Sequence, residues 1–194
     1  MSTIPYAAES RPDTGFTNAR LGTLLLLFAD FMLLASLVSV YAFLRVAADF
    51  WPTGSEVLPR YIAGLNMLVL TLSAVTATKA WRSARDGGGI GALVLTCLLG
   101  MAFVGILGWE HDVVGNTGAL ARTNTFYATY YLITGAFGFH ILFATFAALW
   151  LVGPGAGLKK QNTALYTNRI ACLTMTWQFM TLMGWIIFAL FYTV

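Results

Sequence analysis

The chain predicts an all-α, polytopic membrane protein, a bundle of five transmembrane helices, and three observations lead there. Hydrophobic residues make up 58% of its 194 residues and charged ones only 10%, against about a quarter in soluble domains. Mean hydropathy is +0.74. The few charges leave five long apolar runs. Only Asp30 interrupts the run from Arg20 to Arg45. None falls between Arg60 and Lys79, between Asp86 and Glu110, between Arg122 and Lys159, or after Arg169. This composition excludes a water-soluble globule, a disordered chain and a nucleic-acid binder. Two Cys and two His exclude a disulfide scaffold and a four-ligand zinc cluster.

A helix needs about 20 apolar residues to cross the hydrocarbon core. The runs therefore predict spans over about 21–45, 60–82, 89–110, 125–152 and 168–192. The first is expected to stay in the membrane, because it is too long for the apolar region of a cleaved signal peptide. Trp51-Pro52-Thr53-Gly54 and Pro59 break the chain after it. Gly87-Gly88-Gly89 joins the second and third spans, and Gly153-Pro154-Gly155 ends the fourth. The short alternating segments of a β-barrel are absent, as are the internal repeats usual in secondary transporters. Residues 1–20 are expected to form a cytoplasmic tail, and residues 21–194 a five-helix transmembrane domain.

Basic residues set the orientation. Arg11, Arg20, Lys79, Arg82, Arg85, Lys159, Lys160 and Arg169 fall on one side, and only Arg45, Arg60 and Arg122 on the other. The excess of positive charge belongs inside, which puts the N-terminus in the cytoplasm and the C-terminus outside. Trp51, Trp109 and Tyr192 then mark the outer boundary, and Trp81 and Trp150 the inner one.

The polar residues within the spans are the candidates for function. Asp30 lies nine residues past Leu21, about 14 Å deep in a helix rising 1.5 Å per residue. Two readings are open for it: a functional intramembrane acid, or an uncharged carboxyl bonded to a neighbouring helix. His140, Asn66 and Gln178 read as interhelical hydrogen-bonding residues. Glu110-His111-Asp112 is expected to end the third span at the outer surface, in reach of water. Cys97 and Cys172 read as inert small hydrophobes, and the Met residues as gap-fillers. Gly100, Gly105, Gly135, Gly138, Ser73 and Ala77 are small enough for close helix approach. His111 and His140 stand at different depths, so paired haem ligation is not expected. Neither a phosphate loop nor a metalloprotease motif occurs.

Several segments, in their order, resemble subunit III of the haem-copper terminal oxidases in its short, five-helix bacterial form. Leu27-Phe28-Ala29-Asp30-Phe31-Met32-Leu33 is similar to the family's acid-bearing segment in its first shared helix. Trp51-Pro52-Thr53-Gly54 resembles its Trp-Pro loop, and the stretch from Leu65-Asn66 to Ser73 its Leu-Asn-Thr…Leu…Ser stretch. Trp109-Glu110-His111 stands where the family has an acid followed by an aromatic. Thr134-Gly135-Ala136-Phe137-Gly138-Phe139-His140-Ile141 is similar to its Thr-Gly-x-His-Gly-x-His-Val motif. Trp177-Gln178-Phe179-Met180-Thr181 stands where it has Trp-His-Phe-x-Asp. The chain departs from the pattern at Phe137, Gln178 and Thr181, and its next Trp is displaced by one position to Trp185, with Gly184 in the family's place.

The resemblance implies a non-catalytic accessory subunit in a bacterial inner membrane. It would pack on subunit I, which carries the haems and copper, and on other oxidase subunits. The complex would pass electrons from cytochrome c or quinol to oxygen and pump protons. This chain would hold no haem, metal or redox centre of its own. Asp30 matches the family's membrane-buried acid, which supports proton uptake. Asn66, Glu110, His140 and Gln178 are expected as structural polar contacts. Family members also bind phospholipid, in a cleft beside two helices that this short form lacks. Two alternatives remain open: a subunit-III-like accessory protein of a nitric oxide reductase, and a small freestanding transporter.

Overall fold

A computed structural model describes residues 5–193; residues 1–4 of the expected tail and Val194, at the end of the expected domain, lie outside it. Regular structure among the described residues is helical throughout. The long helices are α1 (Asn18–Ala47), α3 (Arg60–Arg85), α4 (Ile90–Asn116), α5 (Thr125–Val152) and α7 (Thr163–Tyr192). Each is long and apolar enough to cross a membrane. Short helices α2 (Gly54–Val57) and α6 (Gly157–Gln161) lie in the connections.

Local chemistry sets most helix starts. The side chains of Thr17, Asn124 and Asn162 accept the backbone N–H bonds of Arg20, Tyr127 and Leu165, satisfying donors that a helix start leaves free. The cap at Asn162 starts α7 five residues before the expected boundary. Arg169 lies within that helix rather than marking its edge. At the start of α4, Gly89 has φ 94°. A Cβ there would also sit 2.6 Å from the Ala80 carbonyl oxygen, so only glycine fits this turn.

The larger departure from expectation is in α4. The helix continues through Glu110, His111 and Asp112 to Asn116, where a helix end at Glu110 was expected. The triplet is therefore helical, and Glu110 lies among packed helices.

The five spans alternate in direction. The N-terminal ends of α1 and α7 meet where Thr17 Oγ1 and Asn168 Oδ1 lie 3.1 Å apart. The C-terminal end of α3 joins them, with Thr167 Oγ1 donating to the Ala84 carbonyl at 3.3 Å. At the opposite end, edge-on contacts link Tyr41 to Trp51 and Phe191, and Trp51 to Phe126. Gly54 approaches the Phe191 carbonyl so closely there that no side chain could be accommodated.

Helices α3, α4, α5 and α7 form the packed bundle, and α1 lies against α5 and α7. Small residues permit close packing. A Cβ on Gly184 would lie 2.9 Å from Met67 and 3.0 Å from Phe137, and one on Gly100 would lie 3.1 Å from the Trp177 ring. Polar bonds fasten the centre: Trp177 Nε1 donates to Ser73 Oγ at 2.7 Å, Ser73 Oγ donates to the Thr96 carbonyl at 3.2 Å, and Thr174 Oγ1 donates to the Ala77 carbonyl at 3.1 Å. Helix α1 buries only Leu27, Leu34 and Tyr41. Many of its other apolar side chains, including Phe28, Phe31 and Phe43, are exposed, while Leu37 packs against the core.

Candidate functional site

The first polar site joins α1 to α5. Asp30 Oδ1 lies 3.4 Å from His140 Nε2, with the two side chains 15% and 27% exposed. The expected bond to a neighbouring helix has its partner here, but Asp30 is half-buried at the edge of the bundle rather than sealed inside it. His140 Nδ1 lies 2.7 Å from the Ala136 carbonyl oxygen, a contact that requires Nδ1 to carry hydrogen. Nε2 is then the ring nitrogen left to face the Asp30 carboxyl.

The second site lies toward the end of the bundle where α4 and α7 finish, and it joins α3, α4, α5 and α7. Glu110 is 1% exposed, not solvated as expected. Its Oε1 accepts hydrogen bonds from Tyr130 Oη at 2.7 Å and from Tyr192 Oη. Beside it, Thr134 Oγ1 donates to the Tyr130 carbonyl at 2.6 Å. Its one hydrogen is thereby committed, so the 2.9 Å contact with His111 Nε2 must have the imidazole donating. His111 also lines an open hollow at the surface with Asp112 and Tyr131. Asn66 is 3% exposed, and its Oδ1 has no hydrogen-bond partner among the described residues.

Gln178 stands on the exterior and donates from Nε2 to Thr78 Oγ1 at 3.3 Å, linking α7 to α3. Trp185 Nε1 makes a similar bond to Thr71 Oγ1 at 3.1 Å. Cys97 is buried and Cys172 half-buried, both unpaired. Among the described residues, His, Cys, Asp and Glu nowhere gather in a group of three that could hold a metal ion. A groove of about 690 Å³ runs between α1, α5 and α7. Leu26, Trp150, Leu151 and Leu165 line it, with Arg169 and Thr176 as polar members.

Sequence reasoning singled out Asp30, His140, Asn66, Glu110 and Gln178. It missed Tyr130 and Thr134, and it placed Tyr192 in the aromatic belt. A usable signal existed. Tyr130 and Thr134 are four residues apart, so they share one face of α5, near the depth that Glu110 reaches on the neighbouring antiparallel helix.

Comparison with known proteins agrees with the motif reading. No family model matches the chain. It is 26% identical over 176 residues to the cytochrome bo(3) ubiquinol oxidase subunit 3 of Pseudomonas putida, covering 89% of this chain and 84% of that protein. It is 26% identical over 189 residues to the quinol oxidase subunit 3 of Bacillus subtilis, covering 93% and 88%. It is 28% identical over 175 residues to a probable cytochrome c oxidase subunit 3 of Mycobacterium leprae, covering 88% and 85%. The resemblance to oxidase subunit III is thus borne out over nearly the whole chain.

Proposed function

We propose that this chain is a non-catalytic accessory subunit of a respiratory haem-copper oxidase, seated in the bacterial inner membrane against subunit I. The observation that carries the reading is end-to-end similarity to subunits 3 of both quinol and cytochrome c oxidases, in a five-span bundle. Electron transfer and oxygen reduction then belong to the haems and copper of the partner. This chain contributes packing surface, and a proton-holding pair at Asp30 and His140.

The outward face of α1 supports the docking role. Phe28, Phe31, Phe43 and neighbouring Leu residues are exposed along the helix that carries Asp30. A partner covering this face would bring the half-buried carboxyl into a protein interior. There the pair keeps a proton available without net charge in hydrocarbon. That is how Asp30 would support proton uptake by the partner. The groove between α1, α5 and α7 suits a phospholipid, with acyl chains against Leu26, Leu151 and Leu165 and an anionic headgroup at Arg169. The basic ends of the helices support an orientation with the N-terminus in the cytoplasm and the C-terminus outside.

The test is affinity purification of the tagged full chain from its native membrane in mild detergent, with haem spectra of the eluate. Co-elution of a haem-bearing larger subunit with oxygen-reducing activity is the expected result. Recovery with a nitric oxide reductase would transfer the chain to that complex. A stable, substrate-binding oligomer free of other chains would overturn the accessory reading.

A further inference from the structure

Glu110 and Asn66 both line a small cavity, about 30 Å³, in the bundle formed by α3, α4, α5 and α7. Thr134 lines it too, and the remaining walls are largely apolar, including Met67, Phe103 and Phe137. The Asn66 side chain brings an acceptor without a partner into the bundle, and the residue is 3% exposed. Buried polar atoms are nearly always satisfied by protein or by ordered water. Among the described residues, Glu110 has no cation within ion-pair distance; its bonds come from two neutral tyrosine hydroxyls.

We propose that this cavity is an internal hydration site, holding one or two water molecules that bond the Asn66 amide, the Glu110 carboxyl and the Thr134 hydroxyl. The space is sufficient: a cavity of about 10–15 Å³ by the same measure already admits one water, and a buried water needs two to four polar partners. The lining supplies three polar side chains: Asn66, Glu110 and Thr134. Water is the small ligand that can donate to one acceptor while bonding a carboxyl and a hydroxyl. Thr134 bonds His111, and His111 opens on the surface hollow at the end of the bundle. The site joins α3 to α4 where the structure shows no direct side-chain bond from Asn66. It stands apart from the Asp30–His140 pair and does not depend on the proposed oxidase role.

Two variants separate a wet cavity from a dry one. Asn66→Leu is close in size but has no polar atom, whereas Asn66→Ser enlarges the space and keeps a hydroxyl. In a wet cavity the order of stability is wild type, then serine, then leucine, with leucine shifting the folding equilibrium by about tenfold toward the denatured chain. In a dry cavity leucine removes an unsatisfied acceptor and matches or exceeds the wild type, while serine is the weakest. Thermal unfolding of the full chain in lipid nanodiscs reads this order. Leucine at or above wild type would overturn the proposal. A density map of the chain in nanodiscs, with any chains that copurify, gives the second reading. A density peak at hydrogen-bond distance from the Asn66 side-chain amide is expected. An empty cavity, in a map that resolves other internal waters, would equally overturn the proposal.

Discussion

At the scale of single residues, the two acids differ in what neutralises them. Asp30 faces an imidazole that can share its proton, whereas Glu110 leans on the hydroxyls of Tyr130 and Tyr192. Removing either tyrosine hydroxyl leaves the buried carboxyl short of a donor. Tyr130→Phe and Tyr192→Phe should each lower stability by about 1–3 kcal/mol, read as loss of folded chain in a thermal series in detergent. The Asp30 pair calls for a different experiment, because each single change alters the group that the remaining partner faces. Asp30→Asn and His140→Gln should be non-additive, with a coupling of about 0.5–3 kcal/mol in a double-mutant cycle on stability. In the assembled oxidase, Asp30→Asn should allow assembly but shorten the active lifetime during turnover. Unchanged pumping, lifetime and assembly together would remove Asp30 from the proton-uptake role.

At the scale of helices, the bundle and α1 are held by different forces. Helices α3, α4 and α7 meet at small residues and at the Trp177–Ser73 bond. A larger residue at Gly100 would collide with Trp177 and Thr145. Gly100→Val should therefore cost about 1–3 kcal/mol, with a loss of folded chain in any detergent. Helix α1 buries little against the rest, and its aromatics Phe28, Phe31 and Phe43 are largely exposed. Phe28→Ala with Phe43→Ala should leave the isolated chain as stable as before and reduce recovery of the partner subunit in a pull-down. Equal recovery would place the docking face elsewhere.

This contrast also explains what could be read without a structure. The spans were legible because charge is costly in hydrocarbon, so gaps between charges mark crossings. That logic fails where the cost of a charge is met locally. Glu110 looked like a boundary, but two tyrosines from other helices satisfy it 20 and 82 residues away in the chain. Arg169 likewise sits inside α7, because the Asn162 cap starts that helix earlier. The Asp30–His140 pairing was hidden for a related reason. Depth along each helix can be counted from sequence, but which faces meet is decided by packing.

At the scale of the whole molecule, the remaining question is which end faces the cytoplasm. The structure brings the N-terminal segment, the α3–α4 turn and the start of α7 to one end. Asn168 Nδ2 donates to the Ala7 carbonyl at 3.3 Å, and Thr167 bonds the end of α3. That end carries Arg11, Arg20, Arg82, Arg85 and Arg169, with Lys159 and Lys160 on the α5–α7 connection beside it. The opposite end holds Arg45, Arg60 and Arg122. Because the basic end stays on the side of synthesis, single cysteines at the two ends should label oppositely. In a chain whose Cys97 and Cys172 are replaced by alanine, Ser10→Cys should react with an impermeant maleimide only in inverted vesicles. Asp49→Cys should react in intact cells. Both positions are exposed in the folded chain, so access is limited by the membrane alone. The reverse pattern would place the N-terminus outside and overturn the orientation read from the basic residues.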